Sequence, residues 1–168
     1  MTTTSATAED RKDIWKQIED TRFAFLTTLS EGNGLRARPV TTQKVEAEGD
    51  TGVVWFFIPQ DGEMAKDAQA NPRVLLTYTD GDENFYASLS GTARVSSDAA
   101  KAREMWSKMN EAWFPDGPGD PNLALLRVKI DHGETWEPST NKMMQFLSIA
   151  VAAVTHTTPK DGVHKTFQ

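Results

Sequence analysis

Phe23-Ala24-Phe25-Leu26-Thr27-Thr28-Leu29, followed by Glu31-Gly32-Asn33-Gly34 and Leu35-Arg36-Ala37-Arg38-Pro39-Val40-Thr41-Thr42-Gln43-Lys44-Val45, reads as a β-hairpin. Phe23, Phe25, Thr27 and Leu29 recur every second residue, the period of a strand, and the Gly/Asn cluster supplies the turn. On the second arm Arg36, Arg38, Val40, Thr42 and Lys44 fall on one face, because side chains two apart in a strand point the same way. Pro39 has no N–H to give a ladder, so this arm is predicted at an edge or in an interrupted pairing, with backbone groups beside it open to a ligand.

Outward from the hairpin the pattern stays mostly β. Val53-Val54-Trp55-Phe56-Phe57-Ile58 is continuously apolar, as a strand buried on both faces would be. Arg73–Thr79 and Asn84–Val95 flank the turn Asp80-Gly81-Asp82-Glu83, and Gly91 within the second predicts a bulge or a sharp corner. Leu123–Trp136 reads as a long strand. Phe114–Pro121, rich in Pro and Gly, is predicted to hold no regular structure.

Helices are predicted at the corners. Ile14, Trp15 and Ile18 sit at helical spacing in Ala8–Asp20. Asp61 is the expected N-cap of a helix from Gly62 to about Ala70, which Asn71-Pro72 ends. Ser97 is the expected cap of a longer helix carrying Ala99, Ala102, Trp106, Met109 and Trp113 as an apolar stripe. A last helix is read at Thr140–Val154. Residues 1–7 read as a disordered lead-in, residues 8–154 as one domain resembling a Greek-key barrel, and residues 155–168 as a tail without assigned structure.

Composition removes several classes of function. The chain has 168 residues, 38% apolar, with no cysteine and a formal charge of −6. That length buries roughly 68–70% of the unfolded surface, so neither disulfides nor a structural metal is needed. Thiolate metal sites and cysteine nucleophiles are excluded. The acidic balance argues against nucleic acid and anionic membrane as partners. Met143–Val154 is too short to span a bilayer and the N-terminus lacks a signal pattern, so a cytoplasmic protein is expected.

Few residues are arranged for catalysis. His132, His156 and His164 lack metal-ligand spacing, so no metal is expected. Asp116 and Asp120 read as turn formers. No G-x-S-x-G, Walker A or G-x-G-x-x-G occurs, and Pro118 denies Gly117-Pro118-Gly119 the N–H groups of a phosphate cradle. Arg36, Arg38 and Lys44 make either an anion-binding face, helped by the N–H groups of the helix near Asp61-Gly62, or a solvated strand face. The tryptophans Trp55, Trp106, Trp113 and Trp136 read, on their own, as packing residues.

An ordered string of segments resembles the FMN-binding split-barrel proteins related to pyridoxamine 5′-phosphate oxidase, in their general stress protein branch. It runs through Phe23–Thr28, Arg36-Ala37-Arg38-Pro39-Val40-Thr41, Val54–Ile58, Ala70-Asn71-Pro72-Arg73-Val74, Ser88-Leu89-Ser90-Gly91-Thr92-Ala93, Trp113-Phe114-Pro115-Asp116-Gly117, Asp120–Leu126 and Glu134-Thr135-Trp136-Glu137. The resemblance implies a mainly β fold, a six-stranded antiparallel split barrel with peripheral helices, which forms a homodimer with two FMN sites at the interface. By the same resemblance Arg38 approaches the FMN phosphate, and Pro39, Val40, Thr41, Thr42 and Gln43 supply backbone groups near the ring. Phe57 and Ile58 take flavin-facing positions, Trp136 arrives from the partner subunit, and Lys142 is its polar neighbour.

One departure bears on affinity. Many relatives have Ser-x-Lys at the start of the helix after the aromatic strand, where this chain has Gly62-Glu63-Met64. A hydroxyl and a cation are lost, and Glu63 adds a charge that repels phosphate. One charged contact is worth about 1.5–3 kcal/mol, roughly tenfold or more in affinity, so weakened FMN binding is expected unless Lys66 reaches in. The true oxidase's Arg-x-His is replaced by Gly162-Val163-His164-Lys165, which argues against pyridoxamine phosphate as substrate. The resemblance therefore implies an FMN-binding, oxidoreductase-like stress protein with no catalytic residue assigned. The alternatives are a flavin or small-ligand binding or sensing module without turnover, and a dimer without cofactor.

Overall fold

Alternation decides the wall of the molecule. In the strand that opens the hairpin, Ala24, Leu26 and Thr28 are buried while Phe23 and Phe25 face out. The computed structural model describes residues 2–48, 51–137 and 163–167. Its strands are β1 (Thr2–Ser5), β2 (Phe23–Leu29), β3 (Leu35–Glu48), β4 (Thr51–Pro59), β5 (Arg73–Asp80), β6 (Phe85–Ser96), β7 (Leu123–Glu137) and β8 (Val163–Phe167). The helices are α1 (Ala8–Thr21), α2 (Glu63–Ala70) and α3 (Ala99–Met105).

Six strands close a barrel. β2 lies between β3 and β5, β5 pairs with β6, β6 with β7, β7 with β4, and β4 returns to β3, every pairing antiparallel. β3 changes partner along its length: residues 35–41 pair with β2 and residues 42–48 with β4. The barrel is thus split beside Pro39, and the edge placement predicted from that proline is what the register shows. Phe57, Ile58 and Pro59 pair with β7 and not with β3, so the two strands part there.

The core fills from both directions. Leu26, Val54, Phe56, Leu76, Leu89 and Leu126 are fully buried inside the barrel, and Ile14, Trp15 and Ile18 of α1 join them. Each such side chain contributes about 1.5–3 kcal/mol by leaving water. Trp55 and Phe57, on the outer face of β4, are covered by Ala102 and Met105 of α3 together with Phe114, Leu123 and Leu125. That second layer explains the unbroken apolar run 53–58. Gly91 sits at a register shift between Ser90 and Gly91, and a Cβ there would overlap the Lys129 carbonyl.

Several sequence expectations need correction. Thr2–Ser5 is a strand, parallel to β8, where a disordered lead-in was expected, and Val163–Phe167, in the tail to which no structure was assigned, is a strand on β7. β8 pairs with the far half of β7, beyond the reach of β4, and β1 pairs with β8, long-range pairings with no local signal. Asp61 does not cap α2; its N–H donates to the Asn122 side chain at 3.2 Å, and Gly62 occupies the cap without a side-chain bond. Asp98, not Ser97, caps α3, accepting from the N–H groups of Ala100 and Lys101. α3 also ends at Met105, because Trp106 turns to extended backbone, so the predicted stripe breaks and Met109 and Trp113 are exposed. Within Phe114–Pro121, Gly117–Gly119 forms a short 3-10 turn. The helix read at Thr140–Val154 lies outside the described residues.

Candidate functional site

The three cations of the hairpin do not share a surface. β3 and β4 shift register between Thr42 and Lys44, and the extra residue turns the following side chains over. Lys44 is thereby carried to the outer face, where it pairs with Glu104 of α3. It belongs to a network in which Lys101 donates to Glu46 at 2.6 Å, Trp55 Nε1 donates to Glu46 at 2.9 Å, and Lys101 lies over the Trp55 ring. The hydrogen bond from Lys101, then that from Trp55, holds the Glu46 carboxyl down at about 2. This network braces α3 against the barrel.

Arg36 and Arg38 stay together at the split. The Arg38 Nη1 and Nη2 atoms both donate to Asp67 Oδ2, at 3.1 and 3.2 Å, and Nη1 also donates to Thr28 Oγ1 at 3.1 Å. Thr28 in turn donates to the same carboxylate oxygen at 3.0 Å. Asp67 and Thr28 are buried, whereas the Arg38 side chain keeps 25% exposure. Three guanidinium N–H groups are thus used. Nε–H and the outer Nη2–H, which form one edge of the fork, make no such bond and can meet an oxyanion side-on. Arg36 pairs at 3.5 Å with Glu63, which Lys66 also holds at 3.1 Å; Lys66, then Arg36, lowers the Glu63 pKa.

The backbone beside Arg38 is open. Thr42 N donates to Arg22 O at 2.7 Å, so the even-numbered residues of β3 face β2 with their hydrogen bonds, and Ala37, Pro39 and Thr41 turn their polar groups toward the split. Among residues named from the sequence, Pro39 is exposed and Thr41 half-buried. Val40 and Thr42 send their side chains into the core, where Thr42 Oγ1 lies 2.7 Å from the Tyr78 hydroxyl. The Thr42 N–H is already taken. Gln43 is held by Asn110 at 3.2 Å and by its own contact to Thr41 O.

Phe57 and Ile58 point opposite ways: Phe57 packs on Trp106 and Phe114, and Ile58 is buried in the barrel. Ile58 therefore offers a ligand its backbone alone. Trp136 stacks on His164 of β8, ring centroids 4.9 Å apart. Lys142 lies outside the described residues. The residue that sequence reading missed is Asp67. Its signal was spacing: Glu63 and Asp67, one helical turn apart (~6 Å), match Arg36 and Arg38, two strand residues apart (~6.6 Å).

A flavin can be tested against these groups. The open backbone edge at Ala37 and Pro39 suits the polar edge of a flat ring, and the free edge of Arg38 suits a phosphate oxygen. The start of α2 suits phosphate poorly, since Gly62-Glu63-Met64 offers no side-chain donor. Among the described residues no group of His, Asp or Glu is arranged to hold a metal ion, and no helix is long and apolar enough to cross a membrane.

A six-stranded split barrel with an arginine and free backbone at its split defines a recognisable class of proteins. Residues 9–160 match the family model described as pyridoxamine 5′-phosphate oxidase like, and the chain belongs to that family. It is similar to General stress protein 26 of Bacillus subtilis (strain 168), 35% identical over 73 residues, which are 42% of this chain and 51% of that protein. The solved structure of a protein assigned as general stress protein 26 from Jannaschia sp. CCS1 is 30% identical, with 95% of this chain and 98% of that one covered and a TM-score of 0.71. The general stress FMN/FAD binding protein of Xanthomonas citri is 30% identical, with 80% and 93% covered and a TM-score of 0.68. The chain spans 51% and 60% of the lengths of the curated relatives it matches.

Proposed function

We propose that this chain is a homodimeric FMN-binding protein of the general stress type, with the flavin at the split of the barrel and oxidoreductase chemistry on a substrate not yet assigned. The observation that carries this reading is the free edge of Arg38 set beside the open backbone edge of Ala37 and Pro39. The likeness to the Xanthomonas citri FMN/FAD binding protein supports it. When bound, the flavin supplies electron transfer; Arg38 holds its charged end and the β3 edge orients its ring.

An exposed apolar face supports the dimer. In this reading, as the family resemblance implies, a ligand at the split meets Trp136 of a second copy. The outer face of β2, β3, β5 and β6 carries exposed Phe23, Phe25, Leu35, Leu75 and Tyr86. Apolar side chains clustered on one face mark an interaction surface.

Native mass spectrometry with an absorbance spectrum tests both parts together. A dimer carrying one flavin per chain is expected; bare protein, with no spectral change on adding FMN, overturns the cofactor. A second reading, binding without turnover, is favoured by the pairing of both Arg36 and Arg38 with carboxylates. It predicts that NADH and NADPH reduce bound flavin no faster than free flavin.

A further inference from the structure

We propose that Glu63 and Asp67 set the ligand specificity of the split, so that the site recognises a flavin by its ring and polyol chain and gains little from a terminal phosphomonoester. This rests on the flavin reading above and narrows it to a ligand class: flavins whose side chain ends neutral bind nearly as well as FMN.

Charge is the first ground. The open end holds Arg36, Arg38 and Lys66 against Glu63 and Asp67, three cations and two carboxylates, leaving one net positive charge for a phosphate that carries nearly two negative ones. Each arginine already has a carboxylate within 3.5 Å. A phosphate gains least where the cations it meets are compensated.

Geometry is the second. Asp67 is buried and holds Arg38 from behind together with Thr28, so Arg38 cannot swing out to wrap a phosphate with all its donors. Only the Nε and outer Nη2 edge remains. Glu63 stands in the first turn of α2, on the helix end whose N–H groups attract anions, and offsets that attraction. A hydroxyl-ended chain needs none of these cations and bonds equally well to carboxylate or guanidinium.

Quenching of flavin fluorescence on titrating the flavin-free full-length protein with riboflavin and with FMN, in 0.15 M salt, tests this. The two affinities are expected to lie within about threefold of each other. Glu63→Gln, at an exposed position that leaves folding intact, is expected to tighten FMN about three- to tenfold and leave riboflavin unmoved; Met64→Lys acts in the same direction. FMN binding tenfold or more tighter than riboflavin in the unmodified protein overturns the proposal while leaving the flavin reading standing. So does a Glu63→Gln variant whose FMN affinity does not change. Binding of neither flavin overturns the flavin reading itself, and this proposal with it.

Discussion

Arg38 and Asp67 meet across the gap between β3 and α2, two guanidinium nitrogens converging on one carboxylate oxygen at 3.1 and 3.2 Å. Thr28 closes the triangle from β2. The contact joins the hairpin to the helix that follows β4, and it fixes the cation at the mouth of the split.

Removing the arginine leaves a buried carboxylate with a hydroxyl as its remaining described partner. Arg38→Ala is expected to lower unfolding free energy by about 2–3 kcal/mol, less than a fully buried pair because Arg38 is a quarter exposed. Asp67→Asn, which keeps a hydrogen-bonding group there, is expected to cost less. Urea unfolding of both variants checks the order; a smaller loss for Arg38→Ala than for Asp67→Asn contradicts it.

Thr42 and Tyr78 share a hydrogen bond inside the barrel, and burial pushes the Tyr78 phenol well above its ordinary pKa. Tyr78→Phe and Thr42→Val each strand one hydroxyl and are expected to cost about 1–2 kcal/mol. The double variant should cost clearly less than the two together. Additive losses in a double-mutant cycle rule out the coupling.

Acid lability should trace to Glu46. Its pKa falls from 4.5 to about 2 in the fold, chiefly through Lys101, then Trp55. The ionised form is favoured by folding, so its contribution is complete above about pH 4.5 and is lost as pH falls toward 2. Asp10, held at about 2 by the Thr7 backbone and then by Lys165, titrates in the same window. Glu46→Gln should flatten the acid limb of stability by about 1 kcal/mol, given the partial solvent exposure, with little change in the slope above pH 5. Urea midpoints measured from pH 3 to 7 decide this.

Phe25 probes the exposed sheet face at 56% exposure, its neighbours Pro39 and Thr77 on either side. Phe25→Glu should yield a folded protein of 18.6 kDa in sedimentation where the unmodified protein sediments at twice that mass. An unchanged dimer would place the interface elsewhere.

Much of this was legible in the sequence, and the losses have particular causes. Period-two alternation located β2, and the Ile14, Trp15 and Ile18 stripe located α1, because each buries against a single neighbour. Pro39 announced the split through its missing N–H. Lys44 was misplaced because one bulge residue reverses every face after it, and nothing local marks that residue. Trp113 read as core, yet it is 81% exposed because α3 ends before reaching it. Asp67 escaped notice because its partner lies on another element, where only the match of helical and strand spacing connects them.

The pairing of β1 with β8 bears on the order of assembly. Thr2–Ser5 and its ladder partner Val163–Phe167 stand roughly 160 residues apart, so this pair closes the longest loop among the described pairings. The barrel can assemble while that first strand waits as an unpaired, polar, threonine-rich segment, a composition suited to waiting in water. Gly133 leaves room for Phe167 against β7, since a Cβ there would overlap its ring. β8 thus seats itself on β7 and carries β1 with it, a single late-closing clasp.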